Sequence, residues 1–366
     1  MLPHRLREVH RRRLATQRLA AAGLRRGADV VQLLRCVQAQ DAPLAAWSLA
    51  MRMRPGTTYA GVLAEQAAGG WVRTHVLRPT WHLLRPEDLR WMLRITGPKV
   101  ERSMGARHRG LGLDDGTTAA ALAVLESCLA GPNPLVRREI ATAFAAAGVP
   151  ASGEQVGHLL LIAELRAVIC SGPPRGTEHT YVLVEETVPA GPFDDLSDDD
   201  ARRELTRRFV LGHGPASDRD LHRWSTLTLG EVRAALADLD GGLERFEVGD
   251  HVLWYDPAVP ARTTRPRRAY LLPTFDEACL TYAATGFPRR DPDGARQRLV
   301  SEAGGGIVVV DDDDVGTWKR VASRSEVRVT VSPDVPLDRD EMDEVAAEAE
   351  RLADFLERPL DLAVDA

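Results

Sequence analysis

The chain has almost no lysine: of its 47 basic residues only Lys99 and Lys319 are lysine, and the rest are arginine. With 53 acidic residues the formal net charge is −6 over 366 residues. That balance excludes a polycation that coats nucleic acid over its whole surface, but it permits a segregated basic face. The arginine bias fits a GC-rich coding sequence first; it also supplies forked donors matched to phosphate. Cysteine is scarce as well. Cys36, Cys128, Cys170 and Cys279 are widely spaced with no C-x-x-C pair, which fits reduced thiols in a cytoplasmic protein better than a disulfide framework or a zinc site.

Hydrophobic runs of membrane length are missing, since Leu159 to Ile169 is interrupted by Glu164 and Arg166. The opening Met1-Leu2-Pro3-His4-Arg5-Leu6-Arg7 lacks the apolar core of a signal peptide. A soluble protein with no membrane partner is expected. The ten histidines show neither H-x-x-x-H nor H-E-x-x-H spacing, and there is no G-x-G-x-x-G, P-loop or G-x-S-x-G. No metal and no cofactor are expected. Asp311-Asp312-Asp313-Asp314 lacks the alternating ligands, glycine and terminal glutamate of a calcium loop and reads as a solvated hairpin turn.

What is present is a recurring grammar. His10–Ala22 reads as a basic helix, followed by one opened by Asp29 with Gln32 folding back as a capping box. Helices over 44–53 and 57–68 come next, then strands over 71–77 and 80–84 around an Arg78-Pro79 turn. Helices followed by a two-stranded hairpin make a winged helix-turn-helix. The plan repeats with helices over 117–129, 134–147 and 153–166 and strands over 167–171 and 180–185. It repeats again with helices over 198–211, 217–224 and 228–239 and strands over 243–247 and 251–255. Residues 256–268 form a proline- and arginine-rich connection carrying Arg262, Arg265, Arg267 and Arg268. Strands over 307–310, 315–320 and 327–331 and a helix over 338–356 close the chain as a small α/β module. The expectation is an α+β, mainly helical chain. Its divisions are a first winged helix over 1–96, a second over 97–190, a third over 191–256, and the connection with the closing module over 257–366.

One stretch stands out, Arg35-Cys36-Val37-Gln38-Ala39-Gln40-Asp41-Ala42-Pro43. Pro43 biases the residue before it away from helix, so the helix ahead should end near Gln38 to Asp41. In an extended exit, residues two apart point the same way, and Gln38 and Gln40 would present two neutral amides to one point. Spacing alone favours the plainer use of both amides, satisfying orphan carbonyls at a helix end. Asp41 reads as the N-cap of the helix around Pro43. For contacts to DNA, Arg137, Arg138, Arg219 and Arg223 sit on or near candidate recognition helices, and Arg175 lies at the second wing tip. Such arginines give salt-dependent, largely sequence-independent affinity. Single arginines on helix surfaces are also commonly just solvated. His82, beside Trp81 on the first wing, is either a functional histidine or a hydrogen-bonded filler of a half-buried strand.

Several segments together resemble a bacterial family of tandem winged-helix DNA glycosylases that includes the azinomycin-resistance and interstrand-crosslink glycosylases. They are Val37–Asp41, Trp47–Arg52, Val72–Thr74, Leu77–Asp88, Ile169–Pro173 and Thr180–Leu183, then Gly214–Ala216, Leu271–Asp276 and Gly316–Arg320. Each is weak alone; their collinear order across nearly the whole chain is specific. The resemblance implies three winged helices forming a concave DNA-binding surface. It also implies a monofunctional glycosylase that hydrolyses the N-glycosidic bond of bulky N7-alkylated purines or interstrand crosslinks, in genotoxin self-resistance or base excision repair. The family's catalytic Q-x-Q falls on Gln38 and Gln40. Trp81, His82, Arg137, Arg138, Arg175, Arg219, Arg223, Lys319 and Arg320 become candidate DNA contacts. The partner would be double-stranded DNA bearing alkylated or crosslinked bases, met by a monomer associated with the nucleoid. The sequence departs from the family's pattern at Ala278–Ala284, Gly304–Gly306 and the four aspartates. The competing reading is a winged-helix transcriptional regulator without catalysis; a third is a scaffold that binds other proteins.

Overall fold

The computed structural model describes residues 2–20, 23–176, 178–239, 241–260, 269–282, 285–291, 304–323 and 325–365. The arginines expected in the 256–268 connection therefore lie outside the described residues. Helix α1 is Leu2–Thr16, earlier than expected, because Arg18 at φ 60° turns the chain and closes it. The first winged unit follows: α2 (Gly27–Leu34), β1 (Val37–Gln38), α3 (Ala42–Arg52), α4 (Tyr59–Ala67), β2 (Val72–Arg78) and β3 (Thr80–Leu84). Its sheet has the order β1-β3-β2. Asp29 does not cap α2. The N-cap is Arg26, and the first free N–H groups, of Gly27 and Ala28, donate at 2.8 and 2.9 Å to the Glu65 carboxylate from α4. A carboxylate at a helix N-terminus also suits the helix dipole.

Two helices not read from the sequence, α5 (Leu89–Ser103) and α6 (Gly105–Gly110), lead to the second unit. That unit is α7 (Asp115–Cys128), β4 (Leu135–Val136), α8 (Arg137–Ala146), α9 (Gly153–Leu165), β5 (Ile169–Ser171) and β6 (Thr180–Leu183), with sheet order β4-β6-β5. After the short α10 (Val184–Thr187) the third unit has α11 (Asp198–His213), α12 (Asp218–Ser225), α13 (Leu229–Ala237), β7 (Glu244–Val248) and β8 (His251–Tyr255). Its third strand shrinks to one bridge, Ala216 to Trp254. Three winged units thus share one topology. Side-chain caps set their helix starts: Ser152 with Gln155, Ser217 with Asp220 and Thr228 with Glu231 are capping boxes.

The closing module is β9 (Ala269–Pro273), α14 (Glu277–Leu280), β10 (Gly305–Val310), β11 (Asp313–Ala322), β12 (Val327–Pro333), α15 (Arg339–Leu356) and β13 (Leu360–Val364). The sheet order is β13-β12-β11-β10-β9. Strand β13, unforeseen in the sequence, runs parallel to β12 with α15 as the crossover. Asp311 and Asp312 take φ of 50° and 78°, the two left-handed residues of a tight hairpin turn. The turn is not solvated as expected. Asp312 is buried and accepts from Arg11 Nε at 2.6 Å, and Arg7 approaches Asp313 at 3.8 Å. Part of the charge of the basic first helix is therefore paired within the protein, with Arg7 and Arg11 still exposed.

One hydrophobic core runs from α2 and α3 (Val31, Trp47, Leu49) into β9–β12 and α15 (Leu271, Val309, Trp318, Phe355). The first winged unit and the closing sheet are welded together. A second core joins α5, α11 and α12 through Trp91, Phe209 and Trp224. Close approach requires glycine at two joints. A Cβ on Gly212 of α11 would meet the Leu33 carbonyl oxygen at 2.3 Å, and one on Gly97 of α5 the Leu165 carbonyl oxygen at 2.4 Å. Those contacts hold the third unit against α2 and the first wing's exit helix against α9.

Candidate active site

Helix α2 ends at Leu34, several residues before the expected 38–41 region, because Arg35 turns left-handed at φ 64° and Val37–Gln38 joins the first wing as an edge strand. Gln38 lies opposite His82, and the Ala39 amide continues the ladder by donating to the Trp81 carbonyl at 2.7 Å. The segment is extended, not helical. Asp41 then caps α3, accepting from the Leu44 amide at 3.0 Å with proline in the first turn.

The two glutamines sit in contrasting surroundings. Gln38 is 6% exposed, whereas Gln40 is exposed. The Gln38 main-chain N–H donates to Glu277 Oε1 at 3.0 Å. Its side-chain Oε1 accepts from the Arg78 guanidinium at 2.7 Å. Because arginine can only donate, this contact fixes which end of the Gln38 amide is oxygen. The next carbonyl, of Ala39, accepts from Arg73 Nε at 3.0 Å. The guanidinium of Arg73 lies 4.2 Å from the Trp81 ring centroid and reaches His179 Nδ1 of the second wing at 3.2 Å. Arg320 from β11 is half-buried; burial lowers its pKa, and the charges of Asp41 and Tyr59 offset part of that loss. The loop between β1 and α3 is thus held by the first wing, through Trp81 and Arg73, with His179 of the second wing bracing Arg73 and the charge of Asp41 felt at Arg320 on the closing sheet.

Behind Gln38 lies a buried polar network. Glu277, with no exposed surface, accepts from Trp224 Nε1 at 2.9 Å and from Thr281 Oγ1 at 3.2 Å, and its Oε2 lies 3.4 Å from His213 Nε2. Burial alone would raise this carboxyl. His213, the charge of Arg78 and the Gln38 amide outweigh that and leave it below its usual value. Arg78 also donates to the Trp224 carbonyl at 3.2 Å and lies 3.4 Å from His82 Nε2. Burial first, then the charges of Arg78 and His75, hold the His82 imidazole well below its ordinary pKa. At neutral pH the groups nearest Gln38 are therefore an ionised carboxylate, a guanidinium and an uncharged imidazole. Among the described residues, no group of three or more His, Cys, Asp or Glu side chains is placed to hold a metal ion.

The remaining candidates separate clearly. Trp81 is half-buried between His75, at 4.8 Å between centroids, and Arg73; His82 has no exposed surface. Arg137, Arg138 and Arg175 are exposed on the second unit but engaged, Arg137 with the Gly153 carbonyl, Arg138 with Glu178 and Arg175 with Glu139. Arg137 and Arg138 line an open groove of about 450 Å³ with Val156 and His179. Arg219 and Arg223 of α12 and Lys319 of β11 are exposed, and among the described residues their side chains make no ion pair or hydrogen bond. The structure brings Gln38, His82, Trp81 and the loop carrying Gln40 together; the candidate basic residues lie on α8, the second wing's loop, α12 and β11. Sequence reasoning missed Arg78, read as part of a turn, and Arg73, Trp224 and Glu277. Glu277 had one usable signal, an acid directly after Leu271–Asp276 in an apolar stretch.

A family model described as "DNA glycosylase AlkZ-like" matches residues 31–355. A curated relative, the interstrand DNA cross-link repair glycosylase of Streptomyces sahachiroi, is 26% identical over 349 residues, 90% of this chain and 91% of the relative. The solved structure of the Streptomyces sahachiroi DNA glycosylase AlkZ superposes with a TM-score of 0.74 at 24% identity, covering 98% of this chain and 99% of that one. At that identity the superposition speaks for the fold.

Proposed function

The chain belongs to the AlkZ-like DNA glycosylase family and is a DNA glycosylase, and we propose that it excises bulky N7-alkylated purines, including those joined in interstrand crosslinks, using Gln38 and Gln40. The observation that carries the reading is that, among the described residues, the carboxyl and the imidazole in closest contact around Gln38 are not acids at neutral pH: Glu277, which accepts from its main-chain N–H, is held ionised, and His82, opposite it in the ladder, is uncharged. An N7-alkylated purine already carries positive charge and leaves without protonation. The transition state then resembles the oxocarbenium ion of glycoside hydrolysis.

In the proposed step, water oxygen bonds to C1′ as the C1′–N9 bond breaks. The bonding pair goes to the purine and neutralises its positive charge, and the water's extra proton passes to solvent. The protein's part is to place that water and to stabilise the sugar cation with fixed dipoles. Gln40, exposed on an extended loop, is available to the substrate. Gln38 has its amide oxygen aligned by Arg78 and keeps a second lone pair for water. The loop's several anchors support pre-organisation. The exposed cations Arg219, Arg223 and Lys319 are the best placed to meet phosphate. A monomer working on the nucleoid completes the reading.

The test is substrate choice. Duplexes carrying N7-methylguanine, a bulky N7 adduct or a neutral damaged base are incubated with the protein and treated with hot alkali, which breaks the strand at abasic sites. Cleavage at both cationic lesions and none at the neutral one is expected. Efficient release of the neutral base would contradict a mechanism without an acid. Sequence-specific binding with no cleavage anywhere would favour a regulator.

A further inference from the structure

We infer that Glu277 is a positioning residue for excision, holding the strand that carries Gln38 in its working register. The inference rests on the assignment of Gln38 above. Glu277 lies 239 positions along the chain from Gln38 and on a different module, yet its carboxylate accepts from the Gln38 main-chain N–H at 3.0 Å. Strand β1 is only Val37–Gln38 long and sits at the sheet edge, paired on one side with β3. Glu277 occupies the other side. It stands where the next strand of the sheet would be, satisfying the outward N–H of the residue that matters.

The other lone pairs of the carboxylate are bound to the third winged unit and to its own helix, through Trp224 Nε1 at 2.9 Å and Thr281 Oγ1 at 3.2 Å, with His213 Nε2 at 3.4 Å. Neighbours of Glu277 extend the anchor. Asp276 takes Arg52 of α3 in two contacts at 2.8 and 2.9 Å, and Tyr282 donates to the His213 carbonyl at 2.6 Å. The residues after β9 therefore plug the point where α3, α11 and α12 meet. A buried carboxylate with no exposed surface is costly to keep unless its partners are fixed. Fixed partners make it a rigid reference point. It does not touch the substrate; it acts by holding Gln38 while Arg78 orients the amide from the opposite end. Glutamine at this position has one carbonyl oxygen, which cannot serve the Gln38 N–H and the Trp224 N–H in the same way.

The experiment is a double-mutant cycle on single-turnover excision of N7-methylguanine, using Glu277→Gln, Gln38→Ala and both together. Glu277→Gln is expected to slow excision about 10- to 100-fold, as misplacing a reacting group by about an ångström does. The dissociation constant for the lesion duplex should stay within about threefold, since the exposed cations Arg219, Arg223 and Lys319 are untouched. In the Gln38→Ala background the same change should cost nothing further. A purely structural role would lower both backgrounds by one factor, and that additive result would overturn the inference. So would a wild-type rate for Glu277→Gln beside a slow Gln38→Ala. A wild-type rate for Gln38→Ala would instead overturn the glutamine assignment itself. Trp224→Phe frees one carboxylate partner and carries the same cycle if Glu277→Gln folds poorly: a smaller loss is expected, again absent without Gln38.

Discussion

Helices α3 and α8 occupy the same place in the first and second winged units, each following the short edge strand of a three-stranded wing. Their surroundings are opposite. Every residue from Leu44 to Arg52 of α3 is buried, whereas only Ile140 and Phe144 of α8 are. The edge strands differ too. In the second unit Val136 is itself the N-cap of α8, and in the third Ser217 caps α12 directly after the Ala216 bridge. In the first unit Ala39, Gln40 and Asp41 intervene between strand and helix. Gln38 and Val136 each end the short edge strand of their unit, one facing His82 and the other Thr180 across the ladder. A common unit thus gains a three-residue loop where it is most rigidly supported, and carries exposed arginines where it is least constrained. Chemistry that depends on placement belongs on the first kind of site, and phosphate attraction tolerates the second.

Weakening the support of α3 should have the largest effect. Asp276→Ala leaves Arg52 as an uncompensated buried charge and is expected to cost about 3–5 kcal/mol of stability, read by denaturant unfolding. The matching charge on α8, Arg138, pairs with Glu178 at the surface, and Glu178→Ala should cost under about 1 kcal/mol. Making the first unit resemble the second comes next: Gln38→Val should slow excision by about 10²–10³ while duplex affinity holds. The reciprocal Val136→Gln should add no activity. Acid should then destabilise the fold. His82 in the first unit, His10 on α1 and His179 on the second wing are held below their unfolded values, His10 to about 4 and His179 to about 3, chiefly by burial and then by neighbouring arginine charge. The unfolded chain gains protons first, so stability is full above about pH 6.5 and falls below it, by at most about 1.4 kcal/mol per pH unit for each group. Thermal melts from pH 7.5 to 5 read this. Smallest is the salt dependence: Arg219→Ala and Arg223→Ala should each lower the slope of log binding against log salt by about 1, and Arg138→Ala by less because Glu178 already neutralises it.

The repeating unit was legible because helix and strand periods alternate with glycine- and proline-marked turns. The Q-x-Q loop was legible in sequence but misread in detail. Pro43 alone placed the end of the helix near Gln38 to Asp41; the turn at Arg35 and strand pairing with β3 end it at Leu34. Arg7 and Arg11 turn toward the four-aspartate hairpin, a partner some 300 positions away. A separation of 239 positions likewise hid Glu277 from Gln38. Local patterns report local structure, and buried charge pairs between distant segments leave no periodic trace.

The central claim is that Gln38 and the inserted loop after it perform excision without an acid. Its most direct measurement is single-turnover release of N7-methylguanine by the Gln38→Ala, Gln40→Ala double variant, with duplex binding recorded on the same preparation. Loss of release by about 10³ or more with affinity within about threefold is predicted. Release at the wild-type rate would contradict it.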